Sequence, residues 1–134
     1  MGDRLKDKVA LVSGAGSSGP GWGNGKATAV LFAREGAKVL AADITRDRAL
    51  ETKRIIDGEG GICEAVSADV SRADDVSAMV NACIAAFGRI DVLHNNVGIV
   101  EVGGPAETTE ESWDRVNDVN LKSMFLTRTR SCRV

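Results

Sequence analysis

The chain has 134 residues, a length that suits a single domain. Apolar residues make up 43% and charged residues 27%, as in a typical globular domain, and a net charge of -2 gives no reason to expect nucleic acid or an anionic membrane as partner. No apolar run is long enough to span a membrane and the N-terminus is too polar for a secretion signal, so the expected location is the cytoplasm. One histidine and three widely spaced cysteines are too few for a zinc site, and no metal site is predicted.

Short apolar segments alternate along the chain with segments of helical period. The apolar segments do not alternate polar and apolar residues, which is typical of strands buried on both faces. Parallel strands need crossover connections, and right-handed crossovers place helices on both faces of the sheet. The chain therefore predicts an α/β fold with an open, doubly wound (Rossmann-type) parallel sheet in the strand order 3-2-1-4. The predicted strands are Val9–Val12, Ala37–Ala42, Ile62–Ala68 and Ile90–Leu93.

Helices are predicted between and after these strands. The first covers Lys26–Glu35, and the second begins near Arg46. The third carries apolar residues from Val76 to Phe87 at helical spacing and ends at Gly88. Capping-box patterns predict where the third and the last helix begin; they are Ser71–Asp74 and Thr108–Glu111.

The last helix is predicted over Glu110–Phe125. One stripe of its surface carries Trp113, Val116, Asn120 and Met124. Residues 127–134 are basic and lose this stripe, and two interpretations remain open. They form either a helix C-terminus whose arginines complement the helix dipole, or the tail of a chain cut short, not selected for packing. We therefore divide the chain into a domain of residues 1–126 and an atypical basic tail of residues 127–134.

A glycine-rich loop joins the first strand to the first helix. Gly14, Gly23 and Gly25 allow the backbone to turn sharply and to approach a diphosphate closely, while Asn24 lies between the last two. The helix N-terminus behind the loop adds partial positive charge where phosphates would lie. A glycine motif that follows a strand and opens a helix predicts a dinucleotide site, against the alternative of a flexible surface loop.

Asp43 stands at the end of the second strand. A carboxylate at this position can accept both ribose hydroxyls of an adenosine and repels a 2′-phosphate, so NAD is the predicted cofactor and NADP is disfavoured. The alternative is an N-cap for the helix that begins near Arg46, and the two roles do not exclude each other. Arg46 would soften the discrimination against NADP, but its spacing fits a solvated helix face better.

Together these motifs resemble the short-chain dehydrogenase/reductase family, over residues 6 to about 126. The glycine loop resembles that family's cofactor motif, with an insertion of about five residues around Ser18–Trp22. The resemblance implies hydride transfer between NAD(H) and an alcohol or carbonyl substrate, and homo-oligomers built on the last helix. It also implies cofactor contacts near the ends of the third and fourth strands and a catalytic asparagine; the matching residues are Asp69, Val70, Asn96, Gly98 and Asn120.

The family's acid/base tyrosine and its lysine have no counterpart in this chain. No tyrosine occurs in the sequence, so we expect an N-terminal part of such an enzyme, with the C-terminal half missing and without turnover. A non-catalytic nucleotide-binding or dimerising module is the alternative, and a Rossmann-like methyltransferase is disfavoured by Asn95–Gly98. His94 is interpreted as a hydrogen-bonded core residue rather than a base, and Cys63 as a small core hydrophobe. Trp22 is either a lid over the cofactor or an anchor of the loop.

Overall fold

The computed structural model of the protein describes residues 2–133 and contains a four-stranded parallel sheet. The central strand β1 pairs with β2 on one side and β4 on the other, and β3 pairs with β2. The predicted fold class and the predicted strand order are therefore confirmed. In their order across the sheet, the strands are β3 (Ile62–Ser67), β2 (Lys38–Asp43), β1 (Val9–Ser13) and β4 (Val92–Asn95).

Helices connect the strands and follow the last one. The prediction of one continuous final helix over Glu110–Phe125 was wrong, because a π-helical segment, Asp118–Lys122, interrupts it and the helix then continues to Ser131. The helices are α1 (Asn24–Arg34), α2 (Arg46–Gly58), α3 (Ala73–Phe87), α4 (Glu110–Asn117) and α5 (Ser123–Ser131). No helix within residues 2–133 is both long and apolar enough to cross a membrane.

The core has two parts, one on each face of the sheet. Side chains of α1 and α2, such as Val30 and Ile56, pack against one face. Side chains of α3 and α5, such as Met79 and Leu126, pack against the other. All five residues of β1 are buried, as expected for a central parallel strand with helices on both sides.

Strand β4 begins and ends two residues later than predicted. Its pairing with β1 continues from Val92 to Asn95, past the apolar residues that suggested an earlier end. Asp91 precedes the strand, and its backbone N–H and its carboxylate both bond to Val9, each at 2.9 Å. Hydrogen bonds from the Arg89 guanidinium and from the Val9 N–H lower the pKa of Asp91 below its ordinary value. The acid therefore joins the start of β4 to the start of β1.

The helix ends follow the sequence signals only in part. Gly88 ends α3 in the left-handed conformation with φ +81°, as predicted. The Ser71–Asp74 capping box does not form, because the Ser71 hydroxyl donates to Asp69 instead. Helix α4 is capped by Thr109 rather than Thr108, and the Thr109 hydroxyl accepts from the Ser112 N–H at 3.1 Å.

The final helix turns a different face to the core from the predicted stripe. Trp113 and Met124 are 64% and 41% exposed, whereas Leu126 and Thr127 are buried. Arg130 donates from Nε to the Ser77 hydroxyl at 2.8 Å, which ties the end of α5 to α3. Residues 127–131 therefore continue helix α5, while the division of the chain into a domain and a basic tail stays a prediction. Val134 lies outside the described residues.

Candidate functional site

A cleft of about 620 Å³ opens at the carboxyl ends of the strands. Ligands of open α/β sheets bind at this edge, where the strand order reverses beside β1. The cleft brings together all nine residues that the sequence predicted for cofactor binding: Gly14, Gly23, Asn24, Gly25, Asp43, Asp69, Val70, Asn96 and Gly98. Their assembly in one place was expected, while their role in binding stays a prediction.

The glycine turn brings α1 unusually close to β1. Gly14 has φ +65°, a conformation that favours glycine. A side chain at Gly25 would place its Cβ 1.7 Å from the Gly14 carbonyl oxygen, so only glycine fits there. Gly23 is the N-cap of α1 and has no side chain to cap it, which leaves N–H groups of the first turn available to an anion.

Asp43 is held in a fixed orientation at the floor of the cleft. It is 8% exposed, and its two carboxylate oxygens accept from the backbone N–H groups of Gly16 and Thr45 at 3.1 and 2.9 Å. Each oxygen keeps a second lone pair for a hydroxyl group. The interpretation of Asp43 as an N-cap was wrong, because Thr45 is the N-cap of α2 and the carboxylate binds the Thr45 N–H within the loop.

Arg48 is a cleft residue that the sequence reasoning missed. Arg46 is exposed and does not line the cleft, whereas Arg48 does, with its Cβ 2.4 Å from where a Gly16 Cβ would lie. Helical side chains tilt toward the N-terminus of their helix, so the third residue of α2 points back to the cleft. That direction was the available signal.

The ends of β3 and β4 are held by hydrogen bonds to their neighbours. Asp69 accepts from the Ser71 N–H and hydroxyl at 3.0 and 2.6 Å, so its carboxylate is used within the turn. Asn96 donates from Nδ2 to the Gly14 carbonyl at 3.2 Å. This bond joins the end of β4 to the glycine turn.

Asn120 lies on the π-helical segment beside the cleft. Its side chain accepts from the Ile99 N–H at 2.7 Å and donates to the Ile99 carbonyl at 2.9 Å. Both polar atoms of the side chain therefore hold the segment after β4. Single π-helical turns are frequent at functional sites because they shift the backbone of a helix locally. The catalytic role of Asn120 stays a prediction.

Three other residues considered from the sequence lie outside the cleft. His94 is half-buried and its ring makes a T-shaped contact with Phe32, while its buried Nε2 has no hydrogen-bond partner within residues 2–133. The predicted burial is therefore only partial, and the predicted hydrogen bond is not formed. Burial raises the pKa of the Cys63 thiol to about 12, in agreement with a core role. The Trp22 ring lies 5.1 Å from Lys26 Nζ rather than over the cleft. No cluster of potential metal ligands occurs in the described chain.

Known proteins share both the sequence and the fold of this chain. An uncharacterized oxidoreductase of Thermotoga maritima is 42% identical over 91% of the chain and 46% of its own length. A cyclohexanol dehydrogenase of Acinetobacter sp. is 37% identical over 93% of the chain and 48% of its own length. The chain thus spans about half the length of the curated relatives it matches.

Solved structures agree with these relatives. A crystal structure described as a short-chain dehydrogenase/reductase from Burkholderia xenovorans matches with a TM-score of 0.94 and 41% identity, over 98% of this chain and 52% of that one. A short chain dehydrogenase from Mycobacterium smegmatis matches with a TM-score of 0.89 and 36% identity, over 96% and 52% of the two chains. The sequence model of the short chain dehydrogenases matches residues 8–132, and the protein belongs to this family.

Proposed function

We propose that the chain is the NAD-binding part of an oxidoreductase that transfers hydride between NAD(H) and an alcohol or carbonyl substrate. The observation that carries this proposal is the juxtaposition, in one cleft, of a glycine turn that opens a helix and a fixed carboxylate at the end of β2. The nicotinamide supplies the hydride chemistry when the cofactor is bound, and the protein binds and orients it.

The residues of the cleft fit a dinucleotide. The N–H groups at the start of α1 have no side-chain cap and suit a diphosphate, and Gly14, Gly23 and Gly25 line the cleft where it would bind. Asp43 lies where its carboxylate would accept hydrogen bonds from the ribose hydroxyls of an adenosine. A 2′-phosphate there would meet the carboxylate, a repulsion that Arg48 offsets only in part.

The test of the proposal is cofactor preference. The unmutated chain is expected to bind NADH at least about tenfold more tightly than NADPH, which corresponds to about 1.4 kcal/mol. Asp43→Ala removes the carboxylate, so the ratio should fall to about twofold or less. Isothermal titration with both cofactors measures this ratio, and thermal melts show whether the variant remains folded.

Asp47→Ala is the matched control, because it removes the same charge from an exposed position in the first turn of α2, outside the cleft. Its cofactor preference should equal that of the unmutated chain. Equal affinities for NADH and NADPH in the unmutated chain would refute the assignment of Asp43.

We also propose that this 134-residue chain does not by itself catalyse hydride transfer. Proton transfer to an alcohol or carbonyl needs a side chain whose pKa is tuned near the working pH. The sequence contains no tyrosine, His94 does not line the cleft, and both polar atoms of Asn120 hold Ile99. Purified protein with NAD and a panel of secondary alcohols should show no rise in nicotinamide absorbance. Activity that is abolished by His94→Ala would contradict this expectation.

A nucleotide-binding module that associates with a second copy is the second candidate. The observation in its favour is the set of large apolar side chains exposed on the final helical region, including Trp113 at 64%, Leu121 at 66% and Phe125 at 63%. Exposed apolar patches of this kind mark interaction surfaces or aggregation sites. This candidate predicts NADH binding without turnover and a stable, uniform dimer.

A further inference from the structure

A buried lysine lies beside the glycine loop and is not part of the cleft. Lys26, in the first turn of α1, is only 4% exposed, although lysine normally keeps its ammonium group in water. A positive charge near a helix N-terminus is also opposed by the helix dipole. Its position therefore requires compensating contacts from neighbouring groups.

Two groups compensate the Lys26 charge. Glu51 of α2 places Oε1 3.1 Å from Lys26 Nζ, and the Trp22 ring centroid lies 5.1 Å from the same nitrogen. Ammonium groups within about 6 Å of an indole face are attracted by the negative face of the ring. Trp22 is itself 54% exposed, so its position is set more by this cation–π contact than by burial.

The contact holds the end of a loop that borders the cleft. The loop, residues 17–23, is closed by a bond from the Gly23 N–H to the Ser17 hydroxyl at 2.8 Å. Glycines 19 and 21 have open space on the side where a Cβ would lie, so the middle of the loop is not packed there. Ser18 and Gly23 line the cleft. The position of the loop therefore affects the rim where the proposed diphosphate would bind.

We propose that Trp22 is a positioning residue, which acts through Lys26 and Glu51 to hold the loop at the rim of the cleft in a form that receives a diphosphate. This inference rests on the proposed dinucleotide site. Asp43, the proposed ribose acceptor, is held by the N–H groups of Gly16 and Thr45 and by no residue of the loop. Loosening the loop should therefore weaken the binding of ligands that carry a diphosphate and leave the binding of adenosine monophosphate almost unaffected.

The experiment compares Trp22→Ala and Trp22→Phe with Trp113→Ala, which replaces the other tryptophan of the chain on α4. Titration calorimetry measures the affinities for ADP-ribose and for AMP. Trp22→Ala should weaken the binding of ADP-ribose at least about tenfold and the binding of AMP less than about twofold. Trp22→Phe keeps an aromatic face toward Lys26 and should weaken the binding of ADP-ribose less than about threefold. Trp113→Ala should change neither affinity.

Hydrogen exchange provides a readout that needs no ligand. The amide of Gly23, which donates to the Ser17 hydroxyl, should exchange faster in Trp22→Ala than in the unmutated chain, while the amides of β1 should not change. Unchanged loop exchange in Trp22→Ala would overturn the inference, as would an unchanged ADP-ribose affinity or an equal loss for AMP and ADP-ribose. If the unmutated chain binds neither nucleotide, the proposed function fails, and the exchange experiment still decides whether Trp22 holds the loop.

Discussion

Replacing Gly25 with alanine is expected to abolish NADH binding and to destabilise the chain by about 3 kcal/mol, the upper end of what overpacking usually costs. Alanine favours a helix over glycine by about 1 kcal/mol, so the loss must come from the contact. The added Cβ would lie 1.7 Å from the Gly14 carbonyl oxygen and 2.6 Å from Asn96 Nδ2. Neither atom is the end of a long flexible side chain, so α1 must move away from β1 and open the turn.

Gly19→Ala is the matched control for this experiment. It makes the same substitution in the loop that precedes α1, where a Cβ would meet no atom within 4 Å. Thermal melts and NADH titrations of both variants are the measurements. Gly19→Ala should melt and bind like the unmutated chain, whereas a Gly25→Ala variant with unchanged melting temperature and affinity would contradict the close packing of α1 on β1.

The isolated 134-residue chain is expected to self-associate, aggregate or stay partly unfolded. Strand β4 is an edge of the sheet, and its apolar residues Val92 and Leu93 are accompanied by no lysine or proline that would discourage pairing. Trp113 and Phe125 are more than 60% exposed on the final helical region. At roughly 25 cal/mol per Å² of apolar surface, leaving two such side chains in water loses about 3 kcal/mol of burial free energy. This is a large share of a typical free energy of unfolding of about 5–15 kcal/mol.

Size-exclusion chromatography with light scattering tests this expectation. The double variant Leu121→Lys, Phe125→Lys places charge on the apolar surface and should shift the chain toward monomer. Leu31→Lys is the control, because Leu31 is 48% exposed on α1, at a distance in sequence from that surface. A uniform monomer of the unmutated chain with a sharp thermal unfolding transition above about 60 °C would contradict this expectation, because the chain would then be stable with the apolar surface exposed.

The general architecture was predictable from local patterns. The alternation of apolar strand segments with helical periods leads to a parallel sheet in the order 3-2-1-4, because crossover handedness leaves few other arrangements. The composition of the glycine loop and the place of Asp43 at the end of β2 were sufficient to predict the cleft. These signals are local, since they depend on backbone freedom, period and the ends of strands.

Details that depend on packing between distant segments could not be read from the sequence. The π-helical segment around Asn120 interrupts a helix whose periodic pattern appears continuous, because Asn120 bonds to Ile99 from another part of the chain. The end of β4 at Asn95 depends on pairing with β1 rather than on its own apolar run.

The sequence by itself therefore determined the family resemblance, the strand order and which residues gather at the cleft. The tertiary structure decided which arginine of α2 reaches that cleft, Arg48 rather than Arg46, and that the Trp22 ring lies close to Lys26 Nζ. It also decided that Leu126 and not Trp113 faces the core. The physical reason is that periodicity describes one element at a time. The direction of a side chain relative to a distant neighbour is set only when the helices pack on the sheet.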